Sequence, residues 1–398
     1  MAERFDILFE GMSEESSLKI LLSDPKDLSN PVDKYMAATR LAACTSEESL
    51  QGLISAVDLD PEDLFNRITR RKAIEALGRR KDVQALECLF KALKFDDEPS
   101  VINAADSITQ ISAPLTESQC DSLLDALKGS DPQKRSVIQA HTRLGLKSGT
   151  SFIQTLIHDE NPLISGAARA FCARVEGDLD QLKPLIPQLQ DLQAGRRRSA
   201  VIDLGDAGDI TMLDYLIKSA VSMPLRAKSA FQLVDPSKKA QVPEEHIQSI
   251  TTLLQDDPRS LSMREEWLSN QDPIEIEKNL QHRDEGKQYG AVLSLLNMPK
   301  SQQIEIIDGI HSRLWSDYGA NYLLTSLVGL GSIHEREELV RTSLAEILPQ
   351  YAKSRVAAAW ACLKLDLSDQ LGLLKEISTS SKWVPLKWSC SQVLKKYS

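Results

Sequence analysis

Three stretches decide the reading: DDEPSVINAADSITQI (96–111), DPQKRSVIQAHTRLG (131–145) and NPLISGAARAFCARV (161–175). Each opens with an acid or Asn, places a proline in what would be a first helical turn, and continues through an Ala-rich run. First-turn amides have no helical partner to lose, so Pro is tolerated there, and acids favour the positive end of the helix dipole. From Pro99 to Pro132 is 33 residues and from Pro132 to Pro162 is 30. The pattern extends outward to NPVDKYMAATRLAA at Pro31 and MPLRAKSAFQLV at Pro224, with second helices such as VQALECLFKALKF (83–95) between.

This is a helix-turn-helix repeat. Leu86, Leu89 and Leu93 form an apolar stripe that no single unit can hide. Ala73, Ala76, Gly78, Ala104, Ala105, Ala167, Ala168 and Ala170 allow neighbouring helices to approach closely. The units must therefore stack into a solenoid with a concave face. The period fits HEAT-like pairs better than ankyrin repeats, whose TPLH turn is absent. The expected fold is an all-α HEAT-like solenoid, an α/α superhelix with a concave ligand groove. Residues 1–235 read as its regular part, 236–275 as an irregular junction rich in turns and prolines, and 276–398 as a less regular helical half. Trp360, Trp383 and Trp388 read as a C-terminal capping core.

Composition limits the function. The chain has 398 residues, with 47 Lys and Arg against 57 Asp and Glu and a net charge of -10, which disfavours nucleic acid as a partner. No apolar run is long enough for a membrane span, and the acidic start lacks an export signal, so a cytoplasmic address is expected. The six cysteines are far apart, without CxxC or nearby His, and read as small core residues; no metal site is expected. The phosphate-loop, dinucleotide, nucleophile-elbow and zinc-protease motifs are all missing.

Aligning the proline-opened helices places Thr39, Glu75, Asp106, Gln139 and Arg169 at equivalent positions, with Ser107, His141 and Arg143 close by. Buried without partners, such groups would be costly, so they are expected to face the groove. Arg70, Arg71, Arg135, Arg143, Arg169, Arg197, Arg198 and Arg226 suit a carboxylate-bearing ligand, or equally ion pairs between repeats.

The strings ITRRKAIEALGRRKDVQALECLFKAL, QKRSVIQAHTRLG and NPLISGAARAFCARV resemble the phycobilin lyases of the E/F clan. MAATRLAACTSEESLQGLI and the length are similar to the phycoerythrin lyase and lyase-isomerase branch, the CpeY/MpeZ type. The resemblance implies a lyase that binds the linear tetrapyrrole phycoerythrobilin as substrate, without a cofactor. It implies attachment through a thioether to a cysteine of a phycoerythrin subunit, the alpha subunit being expected, with isomerisation to phycourobilin. Attachment without isomerisation, and a non-catalytic HEAT scaffold that grips a protein, remain open. So does a HEAT-like DNA glycosylase, against which the net charge argues.

Acid-base work on the pigment suits Trp315-Ser316-Asp317-Tyr318-Gly319 with Tyr322. Asp317 and Tyr318 are the expected catalytic pair. Trp315, Gly319 and Tyr322 are expected to bind the pigment, together with Asp106, Gln139, His141, Arg143 and Arg169. The alternative for Asp317 is a helix cap.

Overall fold

The computed structural model describes residue 9 and residues 11–235, 241–269 and 272–397. Among these residues there are helices and turns and no strand. The chain forms two compact units, dividing at Gln181 and Leu182, inside the stretch 1–235 that reads as one regular array.

Residues 8–181 hold α1 (Glu14–Leu22), α2 (Asp33–Leu41), α3 (Glu47–Ala56), α4 (Leu64–Arg80), α5 (Leu86–Ala92), α6 (Glu98–Ile111), α7 (Glu117–Asp125), α8 (Asp131–Leu144), α9 (Thr150–Thr155) and α10 (Pro162–Phe171). The even-numbered helices form a ladder, α2 on α4, α4 on α6, α6 on α8 and α8 on α10, with the odd-numbered ones layered against it. This is the expected HEAT-type pairing. Pro99, Pro132 and Pro162 occupy the first turns of α6, α8 and α10, as read, whereas Pro31 lies two residues before α2.

The caps explain where the ladder helices start. Asp97 accepts the Ser100 amide at 3.2 Å and the Arg71 Nε–H of the preceding ladder helix at 2.9 Å. One carboxylate thus starts α6 and ties it to α4. The small residues act as expected: Ala73, Ala76, Ala104, Ala105, Ala167 and Ala168 are buried. A Cβ on Gly78 would lie 2.5 Å from Ser107 Oγ and 2.7 Å from Ser107 Cα, so α4 and α6 touch backbone to backbone there.

Residues 182–398 hold α11 (Ala194–Ala207), α12 (Leu213–Ile217), α13 (Met223–Val234), α14 (Ile247–Gln255), α15 (Pro273–Leu280), α16 (Glu285–Leu296), α17 (Lys300–Leu314), α18 (Tyr318–Leu330), α19 (Glu337–Ala345), α20 (Ala352–Lys364), α21 (Leu371–Ser380) and α22 (Val384–Tyr397). Helix α11 packs on α13, and α16, α18, α20 and α22 follow one another as a second ladder. The same close approach recurs, since a Cβ on Gly329 of α18 would sit 2.6 Å from Ala361 Cβ of α20.

The stretch 236–275 is more ordered than its turns and prolines suggest. It carries α14, which packs on α13 and α20, and the buried Trp267; residues 236–240, 270 and 271 lie outside the described residues. Trp360 and Trp388 are core, the Trp360 indole donating to Ser389 Oγ at 3.2 Å, but Trp383 is only half-buried.

Candidate functional site

The sequence-derived site residues fall in both units. Asp106, Gln139, His141, Arg143 and Arg169 belong to residues 8–181, and Trp315, Asp317, Tyr318, Gly319 and Tyr322 to residues 182–398.

In the first unit, Asp106 is exposed and Arg143 Nη1 reaches it at 3.4 Å, so α6 and α8 are linked by this pair. Gln139 is half-buried beside them on α8. Arg169 donates to Gln181 Oε1 at 2.8 Å and to the Ile157 carbonyl at 2.9 Å. Ser107 and His141 depart from the groove-facing expectation. Both are enclosed in the ladder, Ser107 donating to the Ile74 carbonyl at 2.9 Å and His141 Nδ1 lying 2.9 Å from the Val137 carbonyl. Burial holds the His141 pKa below its ordinary value.

The aligned arginines mostly tie helices together. Arg70 donates to the Val57 carbonyl and lies over the Phe95 ring; Arg71 pairs with Asp97, Arg197 with Asp284 and Arg198 with Glu285. Burying such groups requires partners, and the protein itself supplies them.

The second unit brings the first turns of several ladder helices together. Asp317 is the N-cap of α18, accepting the Ala320 amide at 2.8 Å, and is exposed. Tyr318, 49% exposed, meets Tyr351 edge to face, with ring centroids 5.1 Å apart. Trp315 packs against His311 at 4.7 Å. Gly319 and Tyr322, on the first two turns of α18, line a recess with Met223, Glu285, Tyr289 and Lys353.

Behind this recess is a buried polar cluster that sequence reasoning missed. Asp256 follows α14 in the left-handed conformation, φ 49°, which Asp tolerates better than most residues. Its carboxylate accepts from Arg226 of α13, from the Tyr322 hydroxyl, and from the Tyr289 hydroxyl at 3.0 Å to each oxygen. Arg226 also donates to the carbonyls of Val221 at 2.7 Å and Ile217 at 2.6 Å. Burial, reinforced by the Asp256 charge, raises both tyrosines above the ordinary phenol range, so they remain protonated donors.

Lys353, on the first turn of α20, stands between this cluster and a second opening. Its Nζ is 4.7 Å from the centroid of the Tyr322 ring. Burial lowers its pKa below the ordinary lysine range, while the charges of Asp256, Asp317 and Glu285 oppose that fall. On the other side it lines a cavity of about 420 Å³ with Pro224, Pro349, Ala352, Lys382 and Trp383. Among the described residues no group of three or more metal-binding side chains gathers, and no helix is long and apolar enough to cross a membrane.

The paired helices, their proline-opened ladder and the absence of strands among the described residues define a HEAT-repeat protein, and a HEAT-repeat family model matches residues 63–140. The chain is 26% identical over 400 residues to a protein called uncharacterized phycocyanin operon protein Y from Pseudanabaena tenuis (strain PCC 7409), covering 100% of this chain and 94% of the relative. It is 25% identical over 382 residues to the bilin biosynthesis protein CpeY of Synechococcus sp. (strain WH8020), covering 92% and 89%. The complex of CpcE and CpcF of phycocyanin lyase from Nostoc sp. PCC7120 shares the fold, with a TM-score of 0.52 and 19% identity over 61% of this chain and 94% of that one. Over nearly its whole length the chain is thus similar to bilin-related proteins of the CpeY type, and its fold is that of an E/F-type phycobilin lyase complex.

Proposed function

We propose that this protein binds phycoerythrobilin and joins it through a thioether to a cysteine of a phycoerythrin subunit, the alpha subunit, with isomerisation to phycourobilin. The observation that carries the reading is the convergence at one recess of Gly319, Tyr322, Tyr289, Glu285 and Lys353, beside the Asp317–Tyr318 pair. In attachment, a C–S bond forms at the ethylidene carbon of the end ring, the double bond opens, and the thiol's proton ends on the neighbouring ring carbon. Isomerisation removes a proton from one carbon and returns one to another, with no net oxidation. Both steps need a positioned acid and base. The exposed Tyr318 hydroxyl and the Asp317 carboxylate take those roles in this reading. Trp315 supports the Asp317–Tyr318 turn in it.

The chain's own sulfurs suit this division of labour. Five of the six cysteines are buried, and burial pushes the thiols of Cys88 and Cys362 up to about 12 and that of Cys172 up to about 11. Thiolates are the nucleophiles, so the sulfur that attacks the pigment is best supplied by the acceptor.

The test is co-expression with phycoerythrobilin synthesis and an acceptor subunit. Covalent pigment on the acceptor supports the reading, and its absorption maximum separates attachment alone from attachment with isomerisation. An acceptor without covalent pigment overturns it.

A further inference from the structure

We infer that the cavity of about 420 Å³ between the starts of α13, α20 and α22 is a binding site for a planar conjugated ligand carrying a carboxylate, which Lys353 receives while Trp383 and two prolines flank the ring plane. The identity of that ligand, a propionate-bearing bilin, rests on the proposed lyase function; the site itself rests on the charge of Lys353, the chemistry of the walls and the position of the cavity.

Lys353 is the first argument. An ammonium withdrawn from water is costly unless an anion or other partner compensates it. Its partner is the face of Tyr322, and it makes no ion pair with a carboxylate among the described residues. The buried carboxylates whose charges reach it are already engaged, Asp256 by Arg226, Tyr289 and Tyr322 and Glu285 by Arg198. Burial lowers the Lys353 pKa, and the charges of Asp256, Asp317 and Glu285 oppose that fall without reversing it. An incoming carboxylate would supply a close counter-charge.

The walls are the second argument. Pro224, Pro349, Ala352 and Trp383 present rigid apolar faces, and among the described residues no arginine lines the cavity. An apolar slot with one or two ammonium groups fits a flat organic acid better than a phosphate, which favours guanidinium forks and backbone amides. Lys382 lines the same cavity and is exposed, so a second carboxylate on the same molecule has an ammonium within its surroundings. Helix α20 begins here without an acidic residue in its first turn, so nothing on that helix end repels an anion.

Position is the third. Lys353 also lines the recess that holds Gly319 and Tyr322. A ligand whose carboxylate reaches Lys353 therefore places its neighbouring rings between Trp383 and the Asp317–Tyr318 turn. The cavity is smaller than a whole tetrapyrrole and takes its carboxylated part. Lys353 is a binding residue in this account.

The full-length protein is titrated with phycoerythrobilin and, separately, with its dipropionate dimethyl ester, monitoring the pigment's absorbance. The parent protein should bind the free acid at least about tenfold more tightly than the ester, the scale of a hydrogen bond to a charged group. Lys353→Met should bind acid and ester alike, and Trp383→Leu should weaken both. Retention of the full acid preference in Lys353→Met overturns the site while leaving the lyase reading intact. Unchanged binding of both pigments by Trp383→Leu also overturns it, even if Lys353→Met fails to fold. A parent protein that binds neither pigment overturns the lyase reading and this ligand together.

Discussion

The Tyr322 hydroxyl donates a hydrogen bond to the carboxylate of Asp256, a residue 66 positions earlier that sits in the left-handed region at the end of α14. This contact joins the helix bearing the candidate catalytic turn to a segment that reads as a loop. It also fixes the orientation of Tyr322 in the recess, since Tyr289 and Arg226 hold the same carboxylate from two other helices.

Asp256→Asn tests that cluster. Asparagine keeps the shape and tolerates the same backbone conformation, so the change isolates the charge. Arg226 would be left buried without its counter-ion, and the expected loss is about 3 kcal/mol. A denaturant midpoint within error of the parent would contradict the cluster's structural role.

Asp317→Asn and Tyr318→Phe separate catalysis from scaffolding. Both positions are exposed, so neither change should lower stability by more than about 1 kcal/mol. In the lyase reading they should reduce covalent transfer at least about tenfold, the lower part of the general acid-base range, while leaving pigment binding within a few-fold. Full transfer by both variants, with loss of function on surface charge reversal instead, is the outcome a protein-gripping scaffold gives.

The Arg71–Asp97 pair predicts an acid-sensitive step in the first unit. The Arg71 hydrogen bond, helped by Ser100, holds the Asp97 carboxyl at about 2. Its folded pKa is depressed, so its contribution is present above the unfolded value near 4 and is lost as pH falls from there to about 2. Partial exposure screens the pair, leaving on the order of 1 kcal/mol. Stability measured by chemical denaturation should fall across that window, and Asp97→Asn should flatten part of the fall. An identical acid profile in the variant would contradict this.

Gly78→Ala tests the ladder contact. The new methyl would meet the Ser107 backbone, which cannot rotate away, so about 1–3 kcal/mol should be lost. A neutral or stabilising result, measured by thermal unfolding, would show that α4 and α6 pack less closely than this contact requires.

Much of the ladder is legible because its signals are local. Pro99, Pro132 and Pro162, the capping Asp97 and the small faces around Ala104 and Ala167 each act within one helix or its neighbour. Asp317 is likewise legible as a helix cap, a polar residue opening an apolar helix. The cluster at Asp256 is not. QDDPRSL has the composition of a turn, and no local pattern shows that its first acid turns inward to meet Arg226, Tyr289 and Tyr322 from three separate helices.

Lys353 is equally silent in YAKSRVAAAW, because only the fold reveals that its ammonium lies against Tyr322. Trp383 differs from Trp360 and Trp388 through the same kind of non-local fact: it precedes α22 and faces a cavity, whereas the other two lie inside helices. The arginines are legible only as a pair of alternatives. Their alignment suits a ligand clamp and ion pairs between repeats equally, and the geometry shows that most of them join helix to helix.

The most direct measurement is the absorption spectrum of a purified phycoerythrin subunit, denatured after incubation with phycoerythrobilin and this protein. The account predicts bilin absorbance that stays with the denatured polypeptide and is lost when the acceptor cysteine is replaced. A colourless acceptor, or labelling no greater than in a reaction lacking this protein, would contradict it.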